Sequence, residues 1–218
     1  STRTDSLAAF DSVYVEVIVM LFMIIGAINF NFLYQALILR NPKVFSKTVF
    51  KVFMAIMGVS IVVLTLALWR PVAEYFPPLQ LTAPEYMMYP SFLDALRFAS
   101  FQVVSVFTTT GFTNTDIHKW MPFTAFLLIT LAMIGGMAGS SAGGIKILRL
   151  VLVAKQILRE IQLMIHPRAI IAIRLDHEVV APDISRNVTS FVFIYFATFI
   201  CATGIMTFTG VELVDAAG

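Results

Sequence analysis

In this chain of 218 residues 59% are hydrophobic and only 13% charged, against roughly 25% charged in an average globular protein, so a soluble domain of this size has no interior large enough for its apolar surface. The single Cys201 excludes an intrachain disulfide framework, and His118, His166 and His177 are too scattered for a zinc cluster. A formal net charge of +2 is too small for a nucleic-acid partner; membrane lipid is the partner the composition implies.

The first charge-free run is Val17–Leu39. Acidic residues precede it (Asp5, Asp11, Glu16), where a secretory signal would carry a basic segment. Arg40, Lys43, Lys47 and Lys51 follow, then a second charge-free run, Val52–Trp69. The stretch 70–119 holds only Arg70, Arg97 and Lys119, set against Glu74, Glu85, Asp94 and Asp116. Trp120–Ile145 is a third run and Asn187–Val211 a fourth. Each is long enough to cross a hydrocarbon core of about 30 Å as a helix, the one open form that pairs its own backbone groups. The expected fold is therefore an all-α polytopic membrane protein.

Lys and Arg crowd 40–51 and 145–186, which places both stretches in the cytoplasm and the N-terminus, 70–119 and the C-terminus outside. An even number of crossings must then separate Lys51 from Lys146, and two runs already supply it. The remaining hydrophobic block, Phe98–Phe107, covers about 15 Å as a helix. It is expected to enter from outside, stop midway and return: a re-entrant helix followed by a loop.

That loop reads Thr108-Thr109-Thr110-Gly111-Phe112-Thr113-Asn114-Thr115-Asp116. Gly111 permits a positive φ, so successive carbonyls can face one side. Rings of such carbonyls replace the hydration shell of K⁺ in a pore. The preceding helix aims its partly negative C-terminal end at the same place, which favours a cation. The alternative is an ordinary turn.

Late in the third run comes Gly135-Gly136-Met137-Ala138-Gly139-Ser140-Ser141-Ala142-Gly143-Gly144. Each Gly costs a helix about 1 kcal/mol relative to Ala, so a break is predicted here. A phosphate-binding loop fails, because Ile145 stands where that motif requires Lys and no strand precedes it. Close helix packing through Gly135, Gly139 and Gly143 is the plainer alternative; an unwound, movable segment beneath the filter is the functional one. Beyond it Ile147, Leu150, Val151, Ala154, Ile157, Leu158, Ile161 and Ile165 share one helical stripe. His166-Pro167 ends that helix, and Ile170–Ile173 suggests a short strand or hairpin.

Two short matches recur in order. Thr-x-Thr-Asp at 2–5 returns at 113–116, and Met23-Ile24-Ile25-Gly26-Ala27 resembles Ala132-Met133-Ile134-Gly135-Gly136. The chain reads as part of an array of outer helix, re-entrant loop and inner helix, four of which would surround one pore.

These motifs resemble the Trk/Ktr/HKT superfamily of K⁺ uptake proteins, and within it the bacterial Trk-type transmembrane subunit. The carrying residues are Phe107–Phe112, the run Gly135–Lys146, and Gly26-Ala27-Ile28-Asn29-Phe30. The resemblance implies repeated K⁺-channel-like units, each with a pore helix and inner helix. Residues 1–45, with Val13–Leu39 as helix, would be the inner helix of repeat two. Residues 46–165 would be repeat three with its broken inner helix, 166–186 a cytoplasmic connection, and 187–218 the outer helix of repeat four. It implies cation contacts at the backbone carbonyls of Thr109, Thr110, Gly111 and Phe112. It implies a gating loop comprising Gly135, Gly136, Gly139, Ser140, Ser141, Gly143 and Gly144. K⁺ would be the transported ion, with no organic cofactor on this chain. Partners would be a second copy (a homodimer) and a cytosolic nucleotide-binding regulatory subunit, touching Lys146, Arg149 and the 155–177 surface. The setting would be the cell inner membrane.

Other readings stay open at this point. A broken-helix transporter, coupled to or conducting Na⁺, usually carries intramembrane charges, and the four runs contain none. A non-conducting scaffold or an enzyme subunit is the third; Ser140 and Ser141 have no His or Lys base at their depth, so an enzyme is not expected. Asn187-Val188-Thr189 matches a glycosylation sequon at the expected cytoplasmic end and is read as meaningless. Cys201 is read as a packing residue.

Overall fold

The computed structural model describes residues 12–69, 86–166, 168, 172–176 and 178–210, with backbone alone at 118 and 182–186. The Thr-x-Thr-Asp match at 2–5, Ile170, Ile171 and His177 lie outside the described residues.

The first charge-free run is not one helix. It forms α1 (Val13–Ala27) and α2 (Phe30–Leu37), which turn through 108° at Ile28 and Asn29. The cause is local. Ile28 and Asn29 adopt extended ψ values of 147° and 129°, and the Asn29 side chain accepts from the N–H groups of Asn31 and Phe32. That cap starts a second helix where the first has stopped. A short 3-10 turn, Pro42–Ser46, leads to α3 (Thr48–Leu68).

At 21 residues, α3 is about 32 Å long, enough to cross a membrane. Its N-terminus is capped from far along the chain: Thr48 N and Oγ1 both donate to Asp176 Oδ1, at 2.9 and 2.6 Å. Phe53, Leu64 and Leu68 have no exposed surface and form a stripe against α4 (Phe92–Phe107). There Ala95 and Ala99 allow close approach, and Phe107 stacks on Phe53 at 5.2 Å.

The helix α4 begins six positions before the expected Phe98. Counting from gaps between charges stopped at Arg97, yet Arg97 is paired with Glu16 of α1, and Asp94 sits in the first turn, where the helix dipole favours an acid. Its 16 residues span about 24 Å, still short of a 30 Å core. The chain then turns back through 108–116.

The third run gives α5 (Pro122–Ile134), a break over 135–146, and α6 (Ile147–Ile165). Pro122 fits the first turn of α5 because its missing N–H would have no partner there. The predicted stripe of α6 is covered in its first half, with Ile147 and Val151 buried; Ile157, Leu158, Ile161 and Ile165 are exposed. The short hairpin falls slightly later than expected, as β1 (Arg174–Leu175) paired antiparallel with β2 (Glu178–Val179). Last comes α7 (Pro182–Phe208).

Among the described residues, α3 and the Asn187–Phe208 portion of α7 are single helices long and apolar enough to cross a membrane, and the bent pair α1–α2 makes a third candidate. The second and fourth runs each carry one long helix, the third breaks where its glycines predict, and the first breaks at Ile28 and Asn29, where no break was expected. None of the best apolar window of α7 is buried. Cys201 lies on it, exposed.

Candidate ion filter and gate

The end of α4 shapes the Thr-rich loop. Ser105, which has no exposed surface, is its anchor. Its carbonyl accepts from Thr110 N at 2.9 Å, Gly111 N at 3.4 Å and Thr108 Oγ1 at 3.3 Å. Its hydroxyl donates to the Phe112 carbonyl at 2.6 Å. Thr109 and Gly111 take φ values of +55° and +77° on either side of Thr110. Gly111 adopts that conformation without strain, since it has no Cβ.

The consequence is a row of bare carbonyls. Among the described residues, the oxygens of Thr109, Thr110 and Gly111 accept no hydrogen bond. The Phe112 carbonyl differs, because it is turned toward the buried Ser105. The loop faces a cavity of about 380 Å³ lined by Val19, Phe22, Met23 and Gly26 of α1, by Thr108, Thr110 and Phe112, and by Ser141.

Behind the loop, Gln102 and Asn114 are buried and joined by Gln102 Nε2 to Asn114 Oδ1 at 3.3 Å. The Tyr89 hydroxyl lies 3.2 Å from Thr115 Oγ1, and its ring stacks on Phe98 at 4.7 Å. Burial pushes the Tyr89 phenol above its ordinary value, so it stays protonated at neutral pH and able to donate.

The break after α5 closes on itself. Ile145 N donates to Met133 O at 2.8 Å and Ile147 N to Gly136 O at 3.1 Å, so the chain leaves and re-enters at almost one place. A Cβ on Gly135 would lie 2.0 Å from the Gly143 carbonyl; no other residue fits there. The loop's tip meets the corner between α1 and α2. Met137 N donates to Ala27 O at 2.9 Å, Phe30 N to Gly139 O at 3.1 Å, and Ser141 N and Oγ both to Gly26 O, at 3.1 and 2.8 Å. Asn29 Nδ2 adds a bond to Ala138 O.

Filter loop and glycine loop also touch each other: Gly143 N donates to Thr109 Oγ1 at 2.6 Å. The structure thus brings Thr109, Thr110, Ser141 and Gly143 to one region. Gly135 and Gly136 are buried at the base of the loop. Lys146 donates through Nζ to Ala142 O, and the Arg149 guanidinium lies 3.8 Å over the Phe191 ring; both side chains engage groups within the chain.

Sequence reasoning missed Ser105 and the pair formed by Glu16 and Arg97, and it quoted Asn29 without giving it a role. Glu16 is 4% exposed and accepts from Arg97 Nε and Nη2 at 2.8 and 2.9 Å, tying α1 to α4. A signal for the corner at Asn29 was present, since Gly26 already matched Gly135, where a break was expected.

Comparison with known proteins shows the family. A family model described as TrkH, cation transport protein, matches residues 1–214. The chain belongs to the TrkH family. The Trk system potassium uptake protein TrkH of Salmonella typhimurium is 33% identical over 213 residues, covering 97% of this chain and 41% of that protein. TrkH of Halomonas elongata is 33% identical over 218 residues, covering 99% and 42%. The crystal structure of the potassium transporter TrkH from Vibrio parahaemolyticus superposes with a TM-score of 0.84 at 30% identity, covering 100% of this chain and 44% of that one. This TrkH family chain therefore spans about two fifths of the length of the curated relatives it matches. The family match takes in the Thr-rich loop and both breaks.

Proposed function

We propose that this segment supplies one filter strand and the gate of a protein that moves K⁺ across the cell inner membrane. The observation that carries this reading is the row of unpaired carbonyls at Thr109, Thr110 and Gly111. It sits at the end of a helix too short to span and is bonded through Thr109 to the glycine loop. An alkali cation exchanges its water for these oxygens, and the C-terminal dipole of α4 adds attraction. Four equivalent strands surround the ion, one per repeat. Flux follows the membrane potential and needs no covalent chemistry. The loop 135–146, seated below the filter, closes the path.

In this reading Gly111 is the residue of the filter strand least open to substitution. Exchange of Gly111 for Val in the full-length protein places a β-branched side chain at φ +77° and abolishes ⁸⁶Rb⁺ uptake into liposomes; wild-type flux in that variant overturns the filter. Residues 70–119 lie outside and 40–51 and 145–186 inside. The protein works as a homodimer, and a cytosolic nucleotide-binding subunit docks near Lys146, Arg149 and the surface of α6 and the hairpin.

Coupled transport gains one point from the structure, the buried Glu16 with Arg97. Their bidentate pairing and their absence from the cavity lining fit a strut between helices better than an ion-coupling site.

A further inference from the structure

The glycine loop has little of its own to hold it in place. Apart from Met137 its residues from 135 to 144 are small, and beyond the bonds of Ser140 to Met137 O the tip at 137–141 is fixed by the α1–α2 corner. Every bond between tip and corner except two is made by backbone on both sides. The exceptions are the Ser141 hydroxyl and the Asn29 amide.

Asn29 is used at both ends of its side chain. Oδ1 accepts from Asn31 N at 2.7 Å and Phe32 N at 3.2 Å. These two donors fix which end of the amide is oxygen, so Nδ2 faces Ala138 O. The same side chain therefore starts α2 and reaches the loop's tip. The fit is close: a Cβ on Gly139 would stand 2.8 Å from Asn29 Nδ2. Asn29 and Ala138 are 109 residues apart, the spacing that also relates Gly26 to Gly135. The corner of one repeat is thus bonded to the matching corner of the next.

We propose that Asn29 is a latch: a positioning residue of one repeat that holds the gate loop of the neighbouring repeat seated. The proposal rests on the reading of 135–146 as a gate and extends it. The loop cannot leave without surrendering its bonds to Gly26, Ala27, Asn29 and Phe30 together. These groups sit at one bend, so release is concerted, and a movement of α1 against α2 opens the loop without touching it.

The test uses the full-length protein in liposomes with two variants. Asn29→Ser keeps a short oxygen able to cap α2 but cannot reach Ala138; Asn29→Ala removes both functions. Amide hydrogen exchange across 136–144 reads the latch, and ⁸⁶Rb⁺ flux without activation reads the gate. In Asn29→Ser, exchange at the tip is expected to be about tenfold faster, with α3 and α4 as protected as in the wild type. Unstimulated flux rises, and the K⁺ to Na⁺ ratio is unchanged, because Asn29 does not line the cavity facing the filter. Wild-type exchange in Asn29→Ser with loosening in Asn29→Ala alone reduces Asn29 to a helix cap and overturns the latch. Faster exchange with unchanged flux leaves the latch standing and removes the gate.

Discussion

Ser105 shows how much one buried hydroxyl can organise. Its carbonyl holds the inner limb of the loop and its side chain holds the outer limb. Only the second of these is open to mutation. Exchange of Ser105 for Ala leaves the bonds to Thr110 and Gly111 and frees the Phe112 carbonyl. A hydrogen bond of this kind is worth about 1 kcal/mol, so the fold survives. The outer edge of the filter loosens instead. K⁺ over Na⁺ discrimination in liposome flux is expected to fall several-fold while maximal flux changes less, with Ser105→Thr restoring most of it. Unaltered discrimination in the Ala variant would show that the outer limb is held by other means.

At the level of helices, the pair formed by the buried Glu16 and the partly exposed Arg97 does what no local signal announced. It ties the start of α1 to the first turns of α4 across 81 positions of sequence. Losing the carboxylate charge weakens two charge-assisted hydrogen bonds from Arg97, each worth roughly 1.5–3 kcal/mol. Glu16→Gln should therefore lower the thermal midpoint of the full-length protein clearly, and adding Arg97→Met should recover part of the loss. A single variant as stable as the wild type would mean that the pair does not hold α1 to α4. The cap on α3 is a smaller case. Asp176→Ala removes the acceptor of both Thr48 bonds and should cost about 1 kcal/mol, read as faster amide exchange at the start of α3 with the filter untouched.

These helices also show what sequence reading reaches. The glycine break, the Thr-rich loop and α6 are written in neighbouring residues, so their places were legible. The bend at Asn29 was overlooked, because a lone amide inside an apolar run carries no charge to mark it and the match of Gly26 to Gly135 was its one signal. The start of α4 was missed for the opposite reason: Arg97 looked like a boundary, and the carboxylate that neutralises it lies on another helix. Contacts made across the fold leave no trace in a local window.

For the molecule as a whole, the decisive expectation concerns sidedness. With Cys201 replaced by Ala, single cysteines at Asp94 and Lys119 of the full-length protein should react with an impermeant thiol reagent from the same face of the membrane. Cysteines at Lys43 and Glu160 should react from the opposite face. Labelling of Asp94 and Lys119 from different faces would make α4 a full crossing and dissolve the filter.

The Thr109 hydroxyl accepts from Gly143 N, so it belongs at once to the proposed filter strand and to the loop proposed to close beneath it. A cation lingering at the innermost position pulls on the same residue that the seated loop holds. Occupancy and closure then compete, like a foot in a doorway. Slowly permeating ions such as Cs⁺ should delay shutting after activation ends, and rapid ones should not, a memory of the last passenger written into a single side chain.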